Sequence, residues 1–275
     1  MLKKQLFFWY SFAVFFFQSL CVSSQTIYSL SGMRSLGLAG VSSVLVDGFS
    51  VINNSAGLAY LSQSSVAVSV QNRFGINDLN IFHLSGQYRL RGDQAIGLAL
   101  ASTGIEGFRE NHVTAGYGLK LMNAFSIGVK LNLTNYHLAE RGNLFRAHAD
   151  LGAMYQVNNR LKLGLVFFNP FQITRLREYD EYFPTGVSFG ASYLVGNGLG
   201  LYSEVSKTEL SPMQFKIGIE WHWLEQLWLR TGYSHTNSAF SLGVGIHRKY
   251  LTANFSFVHM ALPGGVSGAD FGYSW

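Results

Sequence analysis

The chain has 275 residues, 13% of them charged and 48% hydrophobic, with a mean hydropathy of +0.16 and a formal net charge of +5. Its 20 basic residues are scattered against 15 acidic ones, which excludes the clustered footprint of a nucleic-acid-binding protein. The composition is too apolar for an ordinary soluble surface, yet no segment beyond the N-terminal one stays apolar for the ~18 residues that mark a spanning helix.

Residues 1–24 read as a secretory signal. Lys3 and Lys4 open it, residues 6–17 form an apolar run, and Val22, Ser23 and Ser24 supply a small-residue cleavage site. The run is shorter than the ~20 residues a membrane helix needs. Cys21, the single cysteine, lies inside this segment, so the mature chain is expected to lack disulfides. Loss of Lys3 and Lys4 leaves 18 basic residues against 15 acidic, a net charge of about +3.

Residues 25–64 do not alternate as a strand would. Residues 35–46 suit a short helix, and residues 53–59 suit a turn into the first strand. Leu36, Leu38, Val41, Val44, Leu45 and Val46 make this segment too apolar to be left in water.

From Ser65 onward the period becomes two. In residues 212–223, Met213, Phe215, Ile217, Ile219, Trp221 and Trp223 alternate with Gln214, Lys216, Gly218, Glu220 and His222. Successive strand residues face opposite sides, so one face is wholly apolar and the other carries charge of both signs. Residues 125–134 repeat the pattern, as do residues 145–157, where Arg146, His148 and Asp150 share the polar row. Such segments begin near residues 65, 79, 94, 111, 125, 144, 161, 184, 199, 212, 226, 238, 250 and 267. Most have the ~9–11 residues that cross a bilayer at a tilt. The predicted fold is all-β: a transmembrane antiparallel β-barrel of about 14 strands over residues 65–275, with residues 25–64 as an N-terminal lumen plug. Arg146, His148, Asp150, Lys216, Glu220 and His222 are expected to line the lumen. A soluble sandwich or lipocalin-like barrel would turn the polar rows to water, but these rows are rich in Gly, Ala and Ser rather than Lys and Glu.

Tight turns at residues 91–93, 122–124, 158–160, 196–198, 224–225 and 248–249 alternate with mostly longer connections at 104–110, 139–143, 169–183 and 261–266; the short connection at 236–237 is the exception. Short periplasmic turns and longer outer loops are the habit of bacterial outer-membrane barrels. Arg89, Lys120, Lys130, Arg146, Lys216 and Arg230, set against Asp150, Glu204 and Glu220, predict a mildly basic lumen. In the last segment Ala269, Phe271, Tyr273 and Trp275 oppose Gly268, Asp270, Gly272 and Ser274. A lipid face ending in aromatics is what a closing strand requires, so Phe271, Tyr273 and Trp275 are expected to act as the assembly signal.

The plug segment carries a motif. Arg34, Gly37 and Gly40 fall in Met-Arg-Ser-Leu-Gly-Leu-Ala-Gly, Asp47 follows, and Asn53, Asn54, Gly57 and Leu58 fall in Asn-Asn-Ser-Ala-Gly-Leu-Ala. This resembles the N-terminal signature of the FadL/PorV-like (PorV/PorQ family) outer-membrane proteins, with Ser55 where that family usually has proline. The resemblance implies a plug entering the lumen from the periplasmic side of a barrel in the bacterial outer membrane.

The eight histidines show no metalloprotease spacing, and no local motif selects a nucleophile with its base. No enzyme activity, metal or cofactor is therefore expected. Two roles follow from the resemblance. The PorV branch implies a non-catalytic accessory or cargo-handling subunit of a larger outer-membrane machine, such as the type IX secretion translocon. The FadL branch implies a transporter of small hydrophobic molecules. The short outer connections favour the first, because a capture groove needs spare chain. The expected partners are outer-membrane lipid, other outer-membrane or secreted proteins and, on the second reading, a small apolar ligand; nucleic acid is not among them.

Overall fold

The structure is a computed structural model that describes residues 32–76, 78–139, 142–172, 184–236, 238–260 and 264–275. The expected signal segment and residues 25–31 of the expected plug lie outside them.

The strands are β1 (Ser65–Arg73), β2 (Asn80–Arg89), β3 (Gln94–Ile105), β4 (Phe108–Met122), β5 (Phe125–Leu138), β6 (Gly142–Gln156) and β7 (Leu161–Phe168), then β8 (Gly186–Val195), β9 (Leu199–Thr208), β10 (Gln214–Leu224), β11 (Leu227–Ser234), β12 (Ala239–Arg248), β13 (Leu251–His259) and β14 (Val266–Ser274). Each pairs antiparallel with its neighbour in sequence, and β1 pairs with β14 in the register Ser65↔Ser274 to close the barrel. The fold is therefore a closed 14-strand antiparallel barrel. Every strand begins within three residues of the position predicted from the alternation.

Closure leaves no edge with unsatisfied backbone groups, which a sheet in hydrocarbon cannot tolerate. The two rows of each strand part as a bilayer demands. On β1, Val66, Val68 and Val70 face outward while Ser65, Ala67, Ser69 and Gln71 are buried. On β10, Phe215, Ile217, Ile219 and Trp221 face outward while Gly218 and Glu220 are buried. We call the end where β1 begins and β14 finishes the short-turn end, which is the periplasmic end in barrels of this kind; the opposite end is the loop end.

The loop end corrects one expectation. Residues 104–110 do not form a long connection. Ile105 pairs with Phe108, and only Glu106 and Gly107 lie between β3 and β4. Gly107 adopts φ 82°, a left-handed conformation that lets the chain reverse in two residues. Likewise Leu138 pairs with Gly142 across the β5–β6 connection. The chain assigned to loops is spent on strand instead, so β3 to β6 run to 12, 15, 14 and 15 residues. The remaining strands have 8 to 11.

This extended wall changes character near its top. Ser102, Asn111, Asn135 and Phe145 form one outward-facing rung, in which the Ser102 hydroxyl donates to Asn111 Oδ1 at 2.8 Å. Below the rung the outward row is apolar, with Leu100, Val113 and Leu133. Above it the outward row becomes Arg109, His137 and Asn143; the lumen side carries a mixed rung of Thr103, Glu110, Tyr136 and Leu144 and then, at the tip, the apolar Ile105, Phe108 and Leu138. The inversion marks where hydrocarbon ends. Three residues beyond the rung, at ~3.3 Å each, give a blade projecting about 10 Å.

Inside the barrel, residues 32–64 form α1 (Met33–Gly37), α2 (Ser50–Asn53) and a 3-10 helix (Ser55–Tyr60). The helix expected over residues 35–46 stops at Gly37, because Ala39 (φ 56°) and Gly40 (φ 84°) turn left-handed. Asn54 Oδ1 accepts the Ala56 N–H at 3.1 Å and so caps the 3-10 helix. Met33 and Leu36 pack against Ala239, Val258 and Val266 near the loop end. Tyr60, by contrast, donates to the Ala124 carbonyl in the β4–β5 turn at 3.0 Å. The segment thus runs down the lumen from the loop half to the short-turn end.

Candidate functional site

The candidate site is the contact between plug and wall. It begins with lumen-facing glycines. A Cβ on Gly218 of β10 would stand 2.9 Å from Leu38 Cδ2 and 3.0 Å from Leu38 Cβ. One on Gly128 of β5 would collide with the Ser55–Ala56 backbone, and Gly118, Gly164 and Gly232 stand against Ser55, Ser43 and Leu38–Ala39 in the same way. Glycine on these rows lets plug backbone lie against wall backbone.

Three wall carboxylates then hold the plug. Glu220 on β10 accepts from Arg34 Nε at 2.9 Å, Arg34 Nη2 at 2.8 Å, Arg230 Nε at 2.6 Å and the Tyr202 hydroxyl at 2.9 Å. Glu204 Oε2 on β9 accepts the backbone N–H groups of Ser42 at 2.9 Å and Ser43 at 2.8 Å, and the Ser43 hydroxyl at 2.7 Å; Lys216 Nζ donates to its other oxygen at 2.9 Å. Asp270 on β14 accepts the Met33 N–H and the Asn254 amide, each at 2.6 Å. A buried charge survives only when it is paired and hydrogen-bonded, and each of these carboxylates has both strand and plug partners.

Among the motif residues, Arg34 also approaches Asp47 at 4.0 Å. Burial raises the Asp47 carboxyl above its ordinary pKa, and Arg34 opposes that rise. The Gly37 carbonyl accepts from Ser241 Oγ at 2.8 Å, and the Gly40 carbonyl accepts from Lys216 Nζ at 3.1 Å. Asn53 is buried. Asn54 Nδ2 donates to the Ser43 carbonyl at 2.6 Å and to the Ala153 carbonyl of β6 at 3.2 Å. Gly57 sits under Leu45 and Ser50, and Leu58 packs with Val51, Ala95 and Ala99.

The lumen residues divide into groups. Lys216 and Glu220 belong to the plug-holding network. Arg146, His148 and Asp150 on β6 form a second cluster. Arg146 lies over the Tyr136 ring at 5.0 Å, and His148 Nε2 is 3.7 Å from Asp150 Oδ1. Asp150 also pairs with Lys130 at 3.4 Å, while Lys130 donates to the Ile52 carbonyl of the plug. His222 lies with neither group; it stacks on Trp228 at 4.2 Å at the short-turn mouth. Phe271, Tyr273 and Trp275 face outward on β14, and the Trp275 N–H donates to the Ser64 carbonyl at 3.0 Å.

The residues expected to make the lumen mildly basic divide by depth. Lys130, Lys216 and Arg230 are each matched by a wall carboxylate, while Arg89 and Lys120 sit at the short-turn mouth. Sequence reasoning did not single out Asp270, Tyr202 or Ser43 as site residues. For Asp270 the signal was present: it lies on the inward row of the final strand, where an acid must find donors. Among the described residues no three His, Cys, Asp or Glu side chains converge as metal ligands would. The arrangement seats and orients a plug.

No family model and no curated protein matches the sequence. Solved structures do match its fold. The toluene transporter TbuX of Ralstonia pickettii superposes with a TM-score of 0.64 at 11% identity, over 88% of this chain and 97% of that one. A Pseudomonas aeruginosa FadL homologue gives 0.62 at 14% identity, over 88% and 97%. The toluene transporter TodX of P. putida gives 0.65 at 10% identity, over 89% and 98%. The chain therefore shares the FadL-like barrel fold.

Proposed function

We propose that the protein carries small apolar molecules across the bacterial outer membrane. The observation that carries this reading is the blade of β3 to β6. Its lumen-side face ends in the apolar tip of Ile105, Phe108 and Leu138, above a rung in which Tyr136 and Leu144 lie beside Thr103 and Glu110. Apolar side chains facing a mouth above the hydrocarbon gain nothing from lipid, but they suit an apolar ligand arriving from water. Across the mouth, Phe74 and Met260 lead onto the buried cluster of Val258, Val266, Ala239 and the plug residues Met33 and Leu36.

The accessory-subunit reading rested on a supposed lack of chain for a capture surface. Strand extension supplies that surface, so the reason falls away. The fold likeness also favours transport, since the matching barrels are described as toluene transporters.

Binding of radiolabelled toluene to the purified barrel in detergent tests this reading. The intact protein should bind it saturably, and the variant Ile105→Ser/Phe108→Ser/Leu138→Ser should bind it several-fold more weakly while still migrating as a folded barrel. No saturable binding by the intact protein would remove the basis for the proposal.

A further inference from the structure

The short-turn mouth is cationic, and all of its turns lie among the described residues. Arg89, Lys120 and Lys162 stand on lumen-facing rows at strand ends, and Arg91, Arg160, Arg248 and Lys249 lie in or beside the turns. The acidic residues in those turns are Asp93 and Glu225. At the loop end the described charges are slightly acidic, with Arg73, Arg109 and Lys207 against Asp78, Glu106, Glu110 and Glu209. Among the described residues the basic excess thus lies at the short-turn mouth.

The plug does not neutralise it. Arg89 Nη1 donates to the Ser62 carbonyl at 3.2 Å, an uncharged acceptor. Lys120 and Lys162 flank the Tyr60 ring at 4.9 and 5.7 Å, and Lys120 lies 3.5 Å from the half-exposed Asp93. Beside them opens a cleft of ≈ 490 Å³ lined by Ser62, Ser64, Arg89, Arg91, Asp93 and Trp275. A cation-rich mouth of this kind suits a ligand that carries several carboxylates.

Anionic lipid headgroups are the competing source of negative charge. They would draw on outward rows and turn tips, whereas Arg89, Lys120 and Lys162 point into the mouth, away from lipid. We propose that the short-turn mouth docks an acidic segment of a periplasmic protein. Its carboxylates would meet Arg89, Lys120 and Lys162. Such contacts are open to water, so the association is steered by charge and weakened by salt. The inference stands whichever molecule the barrel passes.

The full-length barrel in phosphatidylcholine nanodiscs provides the test. The probes are a fluorescein-labelled peptide in which Glu alternates with Leu, and its Gln–Leu counterpart, followed by anisotropy at low and high salt. The acidic peptide should bind in a salt-sensitive manner and the amide peptide should not. Arg89→Gln/Lys120→Gln/Lys162→Gln should weaken binding about tenfold, while Arg160→Gln/Arg248→Gln/Lys249→Gln, an equal change of charge in or beside the turns, should weaken it by less than about threefold. Retained gel mobility shifts on boiling would show that both variants are folded. Equal weakening by the two sets would reduce the effect to diffuse charge and overturn the proposal. So would equal binding of the amide peptide. Loss of binding when phosphatidylglycerol is added to the disc, restored by the turn variants alone, would assign the cations to the membrane instead.

Discussion

Arg34 of the plug and Glu220 of the wall, 186 positions apart in sequence, form a two-point ion pair, with Nε–Oε2 at 2.9 Å and Nη2–Oε1 at 2.8 Å. Paired donors on a planar guanidinium fix orientation as well as distance. Glu220 also serves Arg230 and Tyr202 of neighbouring strands. One carboxylate thereby ties the plug to three strands of the barrel.

Glu220→Ala should leave the Arg34 and Arg230 guanidiniums facing each other with only Asp47, 4.0 Å from Arg34, as a counter-charge. Breaking a buried pair from one side costs about 3–5 kcal/mol. The temperature at which the barrel loses its compact gel mobility should fall, and residues 33–49 should become accessible to protease. Arg34→Gln/Glu220→Gln should recover part of the loss, because it strands only Arg230. An unchanged midpoint in the Glu220→Ala protein would contradict the network.

Gly218 and Gly86 make a matched pair. Gly218→Val should push Leu38 off the wall, whereas a Cβ at Gly86 meets nothing within 4 Å, so Gly86→Ala should be close to neutral. Overpacking of this kind costs about 1–3 kcal/mol. Reversible denaturant unfolding in lipid vesicles would measure both, and equal stability would argue that the plug does not touch the wall there.

Ile219 sits in the middle of β10 on the outward row, beside the buried Glu220. Arginine at a lipid-facing mid-plane position costs about 2–4 kcal/mol, so Ile219→Arg should destabilise the barrel by that order. Ile219→Cys in native membranes should react with a lipid-soluble maleimide and resist a water-soluble one. The reverse selectivity would turn the strand inside out.

The barrel was legible in the sequence because a bilayer imposes one rule on every strand, and alternation records it. Thus β10 could be read residue by residue, and the start of each strand fell within three positions. The plug was less legible, since its shape is set by the wall rather than by any period. Leu38 leaves the helix because it packs over Gly218 while Ser42 and Ser43 turn their N–H groups to Glu204. The blade was misread for a different reason. Gly104 and Gly107 looked like loop residues, yet Phe108, Tyr136 and Leu138 lie on rows that are polar below them, and Ile105 ends a row of small residues. Their reversal of the pattern was visible in the sequence and marks the end of hydrocarbon.

Uptake of radiolabelled toluene shows whether the barrel passes small apolar molecules by way of the blade, in cells making the intact protein or the Ile105→Ser/Phe108→Ser/Leu138→Ser variant at matched amounts of folded barrel in the outer membrane, and in cells with no copy. Uptake should stand several-fold above background for the intact protein and near background for the variant. Equal uptake in all three strains, with surface display of other proteins disturbed only where the protein is missing, would contradict it and return the barrel to an accessory role.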